Sequence, residues 1–215
     1  MRALIFDLDG TLIDSAPEIA GVLNSVMTDA GAPPFDLATV KSYIGEGIGV
    51  TMRRAMRARG LDDADHARLT AEMSRRYVDA HGMTEFYSGV REALDGWLEA
   101  GVPMALCTNK PIAATTAVLE HMDLARYFVD VVGGDSLPTR KPDPAMLYHS
   151  MQAMGTRNVL YIGDSEVDAG TAKAASVPFA LFTEGYRKTP VAQIHHDLAF
   201  SDWTVFADGL HVDNP

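Results

Sequence analysis

The chain reads as an α/β protein: a doubly wound parallel sheet with a helical segment inserted after its first strand. Three observations point there. From about residue 86 onward, short apolar runs alternate with segments of helical periodicity, the pattern of a parallel sheet covered on both faces. Residues 16–82 are instead helical in pattern, with no convincing strand. Polar clusters follow the apolar runs at their carboxyl ends, where open α/β sheets bind ligands. With 215 residues, 47% of them hydrophobic, the chain is long enough for one sizeable core and a smaller appendage.

Taken in order, Ala3-Leu4-Ile5-Phe6 is the first strand, and Asp7-Leu8-Asp9-Gly10-Thr11 turns the chain out of it. Ser15 and Glu18 are spaced as a capping box, with Pro17 in the first turn of a helix. Ile19, Val22, Leu23, Val26 and Met27 form its apolar stripe, and Gly31 and Pro33-Pro34 stop it. A second segment holds Val40, Tyr43 and Ile44. The turn Gly45-Glu46-Gly47-Ile48-Gly49 leads into a basic helix with Arg53, Arg54, Arg57 and Arg59, and a third helix carries Leu69, Met73 and Tyr77. Beyond Ser88 a helix with Val90, Leu94, Trp97 and Leu98 ends at Gly101. A strand at 102–107 meets the loop Thr108-Asn109-Lys110-Pro111, and the next helix runs to about Met122. A strand at 128–132 ends in Gly133-Gly134. Asp143 as N-cap and Pro144 at the first helical position open a helix that ends at Gly155. A strand at 159–162 precedes Gly163-Asp164-Ser165, a helix starts near Val167, and 179–182 is the final strand. Residues 212–215 read as a frayed end. The boundaries this predicts are 1–14 and 86–215 for the α/β core and 15–85 for a helical domain.

Charge narrows the function. The net charge is −11, so nucleic acid and anionic membranes are poor partners, while small anions remain candidates wherever positive groups are focused. No apolar run is long enough to span a bilayer, and the start of the chain carries no signal-peptide pattern. One cysteine, Cys107, sits in an apolar run and suits a buried, inert thiol in a reducing cytoplasm. The seven histidines, His195-His196 included, lack a metal-ligand spacing and read as surface residues. Oligomeric state is left at monomer or homodimer.

Four clusters carry chemistry: Asp7/Asp9, Thr108/Asn109, Lys141 and Asp164/Asp168. Each alone has an ordinary explanation: an Asp-Gly turn, a helix cap, a surface lysine, a first-turn acid. Parallel strands, however, bring all four to one sheet edge. Buried carboxylates without histidine or cysteine suit a hard, oxygen-loving cation, Mg²⁺ above all. A hydroxyl, an amide and a lysine suit phosphate oxygens. One carboxylate can accept a phosphoryl group, and a second two residues on can protonate the leaving oxygen and later deprotonate water.

These motifs resemble the haloacid dehalogenase superfamily of phosphohydrolases: Asp7-Leu-Asp9-Gly-Thr11, Thr108-Asn109, Lys141-Pro142 and Gly163-Asp164-Ser165-x-x-Asp168, over nearly the whole chain. The helical insertion resembles that family's small cap domain. Tyr43-Ile44-Gly45-Glu46-Gly47, Arg53-Arg54-Ala55, Tyr87-Ser88-Gly89-Val90 and Thr108-Asn109-Lys110-Pro111 are most similar to the phosphoglycolate phosphatases. Ser88 stands where the family has proline and Ser176 where it has glycine, departures that imply only local backbone effects. The resemblance implies Asp7 as nucleophile and Asp9 as acid and then base. It places Mg²⁺ on Asp7, the Asp9 carbonyl and Asp164, with Asp168 behind them, and phosphate on Thr108, Asn109 and Lys141. The turn amides near Gly10 and Thr11 would add donors. It implies a small anionic phosphomonoester as substrate, with the cap's Gly45, Gly47 and Gly49 approaching it closely and Arg53 or Arg54 meeting a second anionic group. Lys110 follows Asn109 but reads equally well as a surface charge, and is left outside the site. A phosphomutase of the β-phosphoglucomutase type is the nearest competing class. Haloacid dehalogenation does not need the acid at Asp9, a phosphonatase would need a cap lysine for which Lys41 is the only candidate, and a non-catalytic phosphate-binding module is the remaining class.

Overall fold

The protein is described from a computed structural model covering residues 2–80 and 82–210; the expected frayed end at 212–215 lies outside the described residues. In chain order the elements are β1 (Ala3–Phe6), β2 (Ile13–Asp14), α1 (Ala16–Asp29), α2 (Leu37–Lys41), α3 (Ile48–Arg59), α4 (His66–Val78), β3 (Glu85–Phe86), α5 (Val90–Glu99), β4 (Met104–Cys107), α6 (Ile112–His121), β5 (Asp130–Val132), α7 (Ala145–Ala153), β6 (Val159–Gly163), α8 (Glu166–Ala175), β7 (Phe179–Phe182), β8 (Leu198–Phe200) and α9 (Trp203–Gly209). Six strands form one sheet in the order β5-β4-β1-β6-β7-β8, every pair parallel. β2 and β3 make a separate antiparallel pair.

The period-two alternation of β1 divides the core. Leu4 and Phe6 join Trp97, Leu106, Val118 and Trp203 on one face of the sheet, while Ala3 and Ile5 join Met146, Leu147, Tyr161 and Ala172 on the other. Both faces are covered by helices, which is why the sheet strands read as unbroken apolar runs. The segment between β2 and β3 builds a third cluster from Leu23, Met27, Val40, Met52, Met56 and Met73, joined from outside by Ala114 and Tyr186. β2 and β3 tie the entry of that segment to its exit.

Three expectations change. The chain does not end its sheet at β7: β8 adds an edge strand, and α9 plants Trp203, 1% exposed, against Phe6 and Phe182. Ser15 and Glu18 do not form a capping box. The Ser15 hydroxyl donates to Asp9 Oδ1 at 2.6 Å and Glu18 accepts from Met83 N–H at 2.6 Å; the carboxylate of Asp9 is a stronger acceptor than anything the helix end offers a hydroxyl. α7 starts at Ala145, one residue later than expected, with Asp143 accepting from Ala145 N–H at 2.9 Å. A reciprocal capping box does open α8, between Ser165 and Asp168. No helix of the described residues is long and apolar enough to cross a membrane.

Candidate active site

β1, β4 and β6 lie side by side, so the loops leaving them share one edge of the sheet. Asp7 follows β1 directly and its N–H still donates to Ile162 O in β6 at 2.9 Å. Asp164 follows β6, and Asp168 sits one turn into α8. One carboxylate oxygen from each of Asp7, Asp164 and Asp168 falls within 4.8 Å of the others, and all three residues are buried. Into this group reaches Lys141, 3% exposed. Its ammonium lies 2.8 Å from Asp7 Oδ1 and 2.7 Å from Asp168 Oδ1, and donates to the Tyr161 hydroxyl at 3.0 Å.

The charges in this group decide its chemistry. Three carboxylates against one ammonium leave two negative charges uncompensated when all are ionised. Burial penalises that state. Burial pushes the Asp7 carboxyl up to about 7, with Lys141 opposing and Asp168 adding to the rise. Asp164 is raised well above the ordinary carboxylate range by burial, then by the charges of Asp168 and Asp7. Asp168 ends below its ordinary value: burial would raise it, but Lys141 and the donors Ser165 and Tyr161 outweigh burial. Lys141 is held far up, because Asp168 and Asp7 outweigh its own burial. An all-oxygen donor set that is buried and short of two positive charges fits a hard divalent cation such as Mg²⁺. Asp168 is the least available of the three: Lys141, Tyr161 and Ser165 already occupy its oxygens at 2.6–3.1 Å. It holds Lys141.

Asp9 has different partners. Its Oδ1 accepts from Ser15 Oγ at 2.6 Å and from Lys110 Nζ at 3.2 Å. Lys110 is therefore no surface charge: it is 6% exposed, its Nζ contacts the Tyr77 hydroxyl and lies 3.9 Å from that ring's centroid. Burial pulls its ammonium down, and Asp9 opposes that. Thr108, 1% exposed, sits at the tip of β4 beside Asp7 and Lys141 on the wall of the same cavity. Asn109 is also at the site, but its amide is used to join loops. Nδ2 donates to Gly45 O at 3.0 Å and Lys141 O at 3.1 Å, and Oδ1 accepts from Lys141 N–H at 3.1 Å.

The cavity above these groups encloses about 50 Å³ and is roofed by the helical insertion: Ile19, Ile44, Ile48, Thr51, Met73 and Tyr77 face Asp7, Asp9 and Thr108 across it. That is space for only a few water molecules. Gly45 and Gly47 line it as expected, with φ of 116° and 87°. A Cβ on Gly47 would come within 2.8 Å of the Arg140 guanidinium. Gly49 lies on a different, outer cavity. Arg53 and Arg54 do not reach the site. On α3 the inward face is Ile48, Thr51, Met52 and Ala55, and helical geometry turns residue 53 away from it. Arg53 is exposed near His66, while Arg54 pairs with Glu46 and donates to Tyr43 O at 3.0 Å. Lys41 pairs with Asp14 at 3.5 Å and Cys107 is a buried thiol pushed up to about 12 by burial, so neither is poised for chemistry.

Sequence reasoning missed Lys110, Ser15, Tyr77 and Tyr186. The last donates its N–H to Asp164 Oδ2 at 2.5 Å, and its hydroxyl donates to Asp14 Oδ1 at 2.6 Å. Gly185 lets that loop close in, since a Cβ there would fall 2.2 Å from Gly10 O. For Lys110 the signal was adjacency to Thr108-Asn109; for Tyr186, 22 residues beyond Asp164, there was none.

A sequence model of the haloacid dehalogenase-like hydrolases matches residues 4–182. A phosphoglycolate phosphatase of Cereibacter sphaeroides (strain ATCC 17025 / ATH 2.4.3) is 45% identical over 204 residues, covering 94% of each chain. One from Rhodospirillum rubrum is 39% identical across 100% of this chain and 92% of its own length. A crystal structure described as a predicted phosphoglycolate phosphatase from Haemophilus somnus 129pt superposes with a TM-score of 0.90 at 28% identity, covering 97% of both chains.

Proposed function

The chain belongs to the haloacid dehalogenase-like hydrolases, and from that premise we propose that it is a Mg²⁺-dependent phosphatase that converts 2-phosphoglycolate to glycolate and phosphate through a phosphorylated Asp7. The observation that carries this reading is the buried group of Asp7, Asp164 and Asp168 around Lys141, two positive charges short, with Asp7 and Lys141 on the wall of a small cavity. The relatives named phosphoglycolate phosphatase supply the substrate.

In the proposed reaction an Asp7 carboxylate oxygen attacks phosphorus while the bond to the substrate's alkoxide oxygen breaks. Asp9 gives a proton to that oxygen, so glycolate leaves neutral at its new hydroxyl. Asp9 then takes a proton from water, whose oxygen attacks the phosphorus of the aspartyl phosphate. Inorganic phosphate departs and the Asp7 carboxylate is restored. Lys141 and the Thr108 hydroxyl bind the oxygens of the transferred group, and Asn109 fixes the two loops that carry them. Asp7, the Asp9 carbonyl and Asp164 would hold Mg²⁺, which when bound would supply positive charge to offset repulsion between the Asp7 carboxylate and the phosphate. We assign residues 15–85 the part of a cap over a core of 1–14 and 86–215, excluding water from the cavity and setting substrate size.

Purified protein with 2-phosphoglycolate should release phosphate in Mg²⁺ and stop in excess EDTA. Asp7→Asn should lower kcat by on the order of 10⁴-fold or more, as loss of a nucleophile does. Undiminished turnover in Asp7→Asn would remove the covalent mechanism. Transfer of phosphate to a second hydroxyl of a sugar phosphate, with no net release, would make the protein a mutase instead.

A further inference from the structure

We propose that Lys110, steadied by Tyr77, is the residue that selects a substrate bearing a second anionic group, by pairing with the carboxylate next to the leaving oxygen. The proposal rests on the phosphatase reading above and adds a specificity residue to it. Arg53 and Arg54 are both outside the cavity, which leaves Lys141 and Lys110 as the cations on its wall among the described residues; Lys188 lines the adjoining pocket and donates to Ile44 O at 2.8 Å. Lys141 and Lys110 are placed differently. Lys141 sits on Asp7, where the phosphoryl group arrives, at 2.8 Å. Lys110 sits on Asp9, the group that serves the leaving oxygen, at 3.2 Å.

An ammonium carries three donors. On Lys110, Asp9 and Tyr77 account for two of them, and the residue lines the cavity with one donor to spare. The rest of the roof cannot do this work: Ile19, Ile44, Ile48 and Met73 are apolar, and the Thr51 hydroxyl is spent on Tyr43 O and Gly47 O at 3.1 and 3.2 Å. In 2-phosphoglycolate a single methylene separates the leaving oxygen from the carboxylate. A general acid works within hydrogen-bond reach of the oxygen it protonates. A lysine 3.2 Å from that acid is therefore within reach of a group one methylene further on. Its low exposure makes the pairing strong and selective, because a neutral alkyl group in the same place would leave the buried ammonium's third donor unmet.

The test compares 2-phosphoglycolate with ethyl phosphate, which has a methyl group in place of the carboxylate, on the Mg²⁺-loaded full-length protein. Wild type should prefer the acid ester strongly. Lys110→Met should cut kcat/KM on 2-phosphoglycolate on the order of a hundredfold, chiefly through KM, as loss of one partner of a buried charge pair does. On ethyl phosphate the loss should stay under about tenfold, the part that comes from Asp9 losing a neighbour. Tyr77→Phe keeps the ring and removes only the hydroxyl, so it guards against a Lys110→Met chain that does not fold. It should narrow the preference several-fold, again in KM. Equal losses on the two esters in either variant overturn the proposal, since Lys110 would then serve Asp9 alone. A wild type that releases phosphate from both esters without preference overturns it too, while leaving the phosphatase reading standing. Release from neither ester removes both.

Discussion

Asp9 Oδ1 takes a proton donor from Ser15 and another from Lys110, and those contacts define where its carboxyl can point. The Ser15 hydroxyl is fully buried, so its loss cannot be replaced by bulk water. Hydrogen bonds to a charged group contribute roughly 1.5–3 kcal/mol, and Ser15→Ala should therefore lower kcat by about tenfold to a hundredfold. KM should move little, because Ser15 touches the acid rather than the cavity wall. Steady-state kinetics separates the cases, and a change confined to KM would contradict the assigned part. Residues of this kind explain what the sequence could and could not reveal. Asp7, Asp9, Thr108 and Asp164 follow strands closely and Asp168 stands at a helix start, so a linear pattern exposes them, while Lys141 lies in the loop between β5 and α7. Lys110 meets Asp9 across 101 residues and Tyr77 across 33. Adjacency to Thr108-Asn109 brings Lys110 near the site, but nothing local marks its partners, and a lone lysine is usually solvated. The arginines failed for the opposite reason: residue type suggested a clamp, but the facing of α3 is decided by Met52, Ala55 and Met56 going inward.

At the scale of elements, the strands of the sheet were legible because both faces are buried, and α1, α3 and α4 because an apolar stripe is packed against its neighbours. β2, β3 and β8 are two or three residues long, too short for any periodicity to emerge. α9 has seven residues, and its legible features were an Asp202 N-cap, accepting from Thr204 and Val205 N–H, and the inward pair Trp203 and Phe206. The departure at Ser176 is also an element-scale matter. This residue caps α8 in the left-handed region, at φ 56° and ψ 43°, a conformation that costs an L residue roughly 1–2 kcal/mol. Glycine adopts it freely but loses more chain entropy on folding. The balance favours Ser176→Gly by about 0.5–1 kcal/mol, and chemical denaturation should show a higher midpoint with an unaltered slope. A lower midpoint would mean that the Ser176 side chain stabilises the turn more than its backbone strains it.

At the scale of the whole molecule, the same charge shortage that suits the site to a divalent cation makes the metal-free fold sensitive to pH. Asp7 titrates at about 7 in the folded chain against an ordinary 3.8, and Asp164 is raised as well. A native state that binds protons more tightly than the unfolded chain loses stability as pH rises. The contribution is therefore complete below about pH 4 and gone once pH has passed about 7, a loss of a few kcal/mol. Lys110 and Lys188, both lowered by burial, act below their ordinary 10.5 and in the opposite sense. Asp168 and Glu72, both lowered, matter below their ordinary values of 3.8 and 4.5, and Lys141, raised, matters only above 10.5. Mg²⁺ binds the deprotonated carboxylates, so it competes with the protons and should restore what rising pH removes. In EDTA the Tm should fall from pH 5 to pH 8; in saturating Mg²⁺ the fall should shrink, so that the increment due to the ion grows with pH. Thermal melts in both media at each pH measure this directly. An increment of equal size at pH 5 and pH 8 would mean that the ion binds away from these carboxylates. A Tm that climbs in EDTA over the same range would mean that Asp7 and Asp164 are already neutralised by the protein itself, and the case for a divalent ion between them would lose its footing.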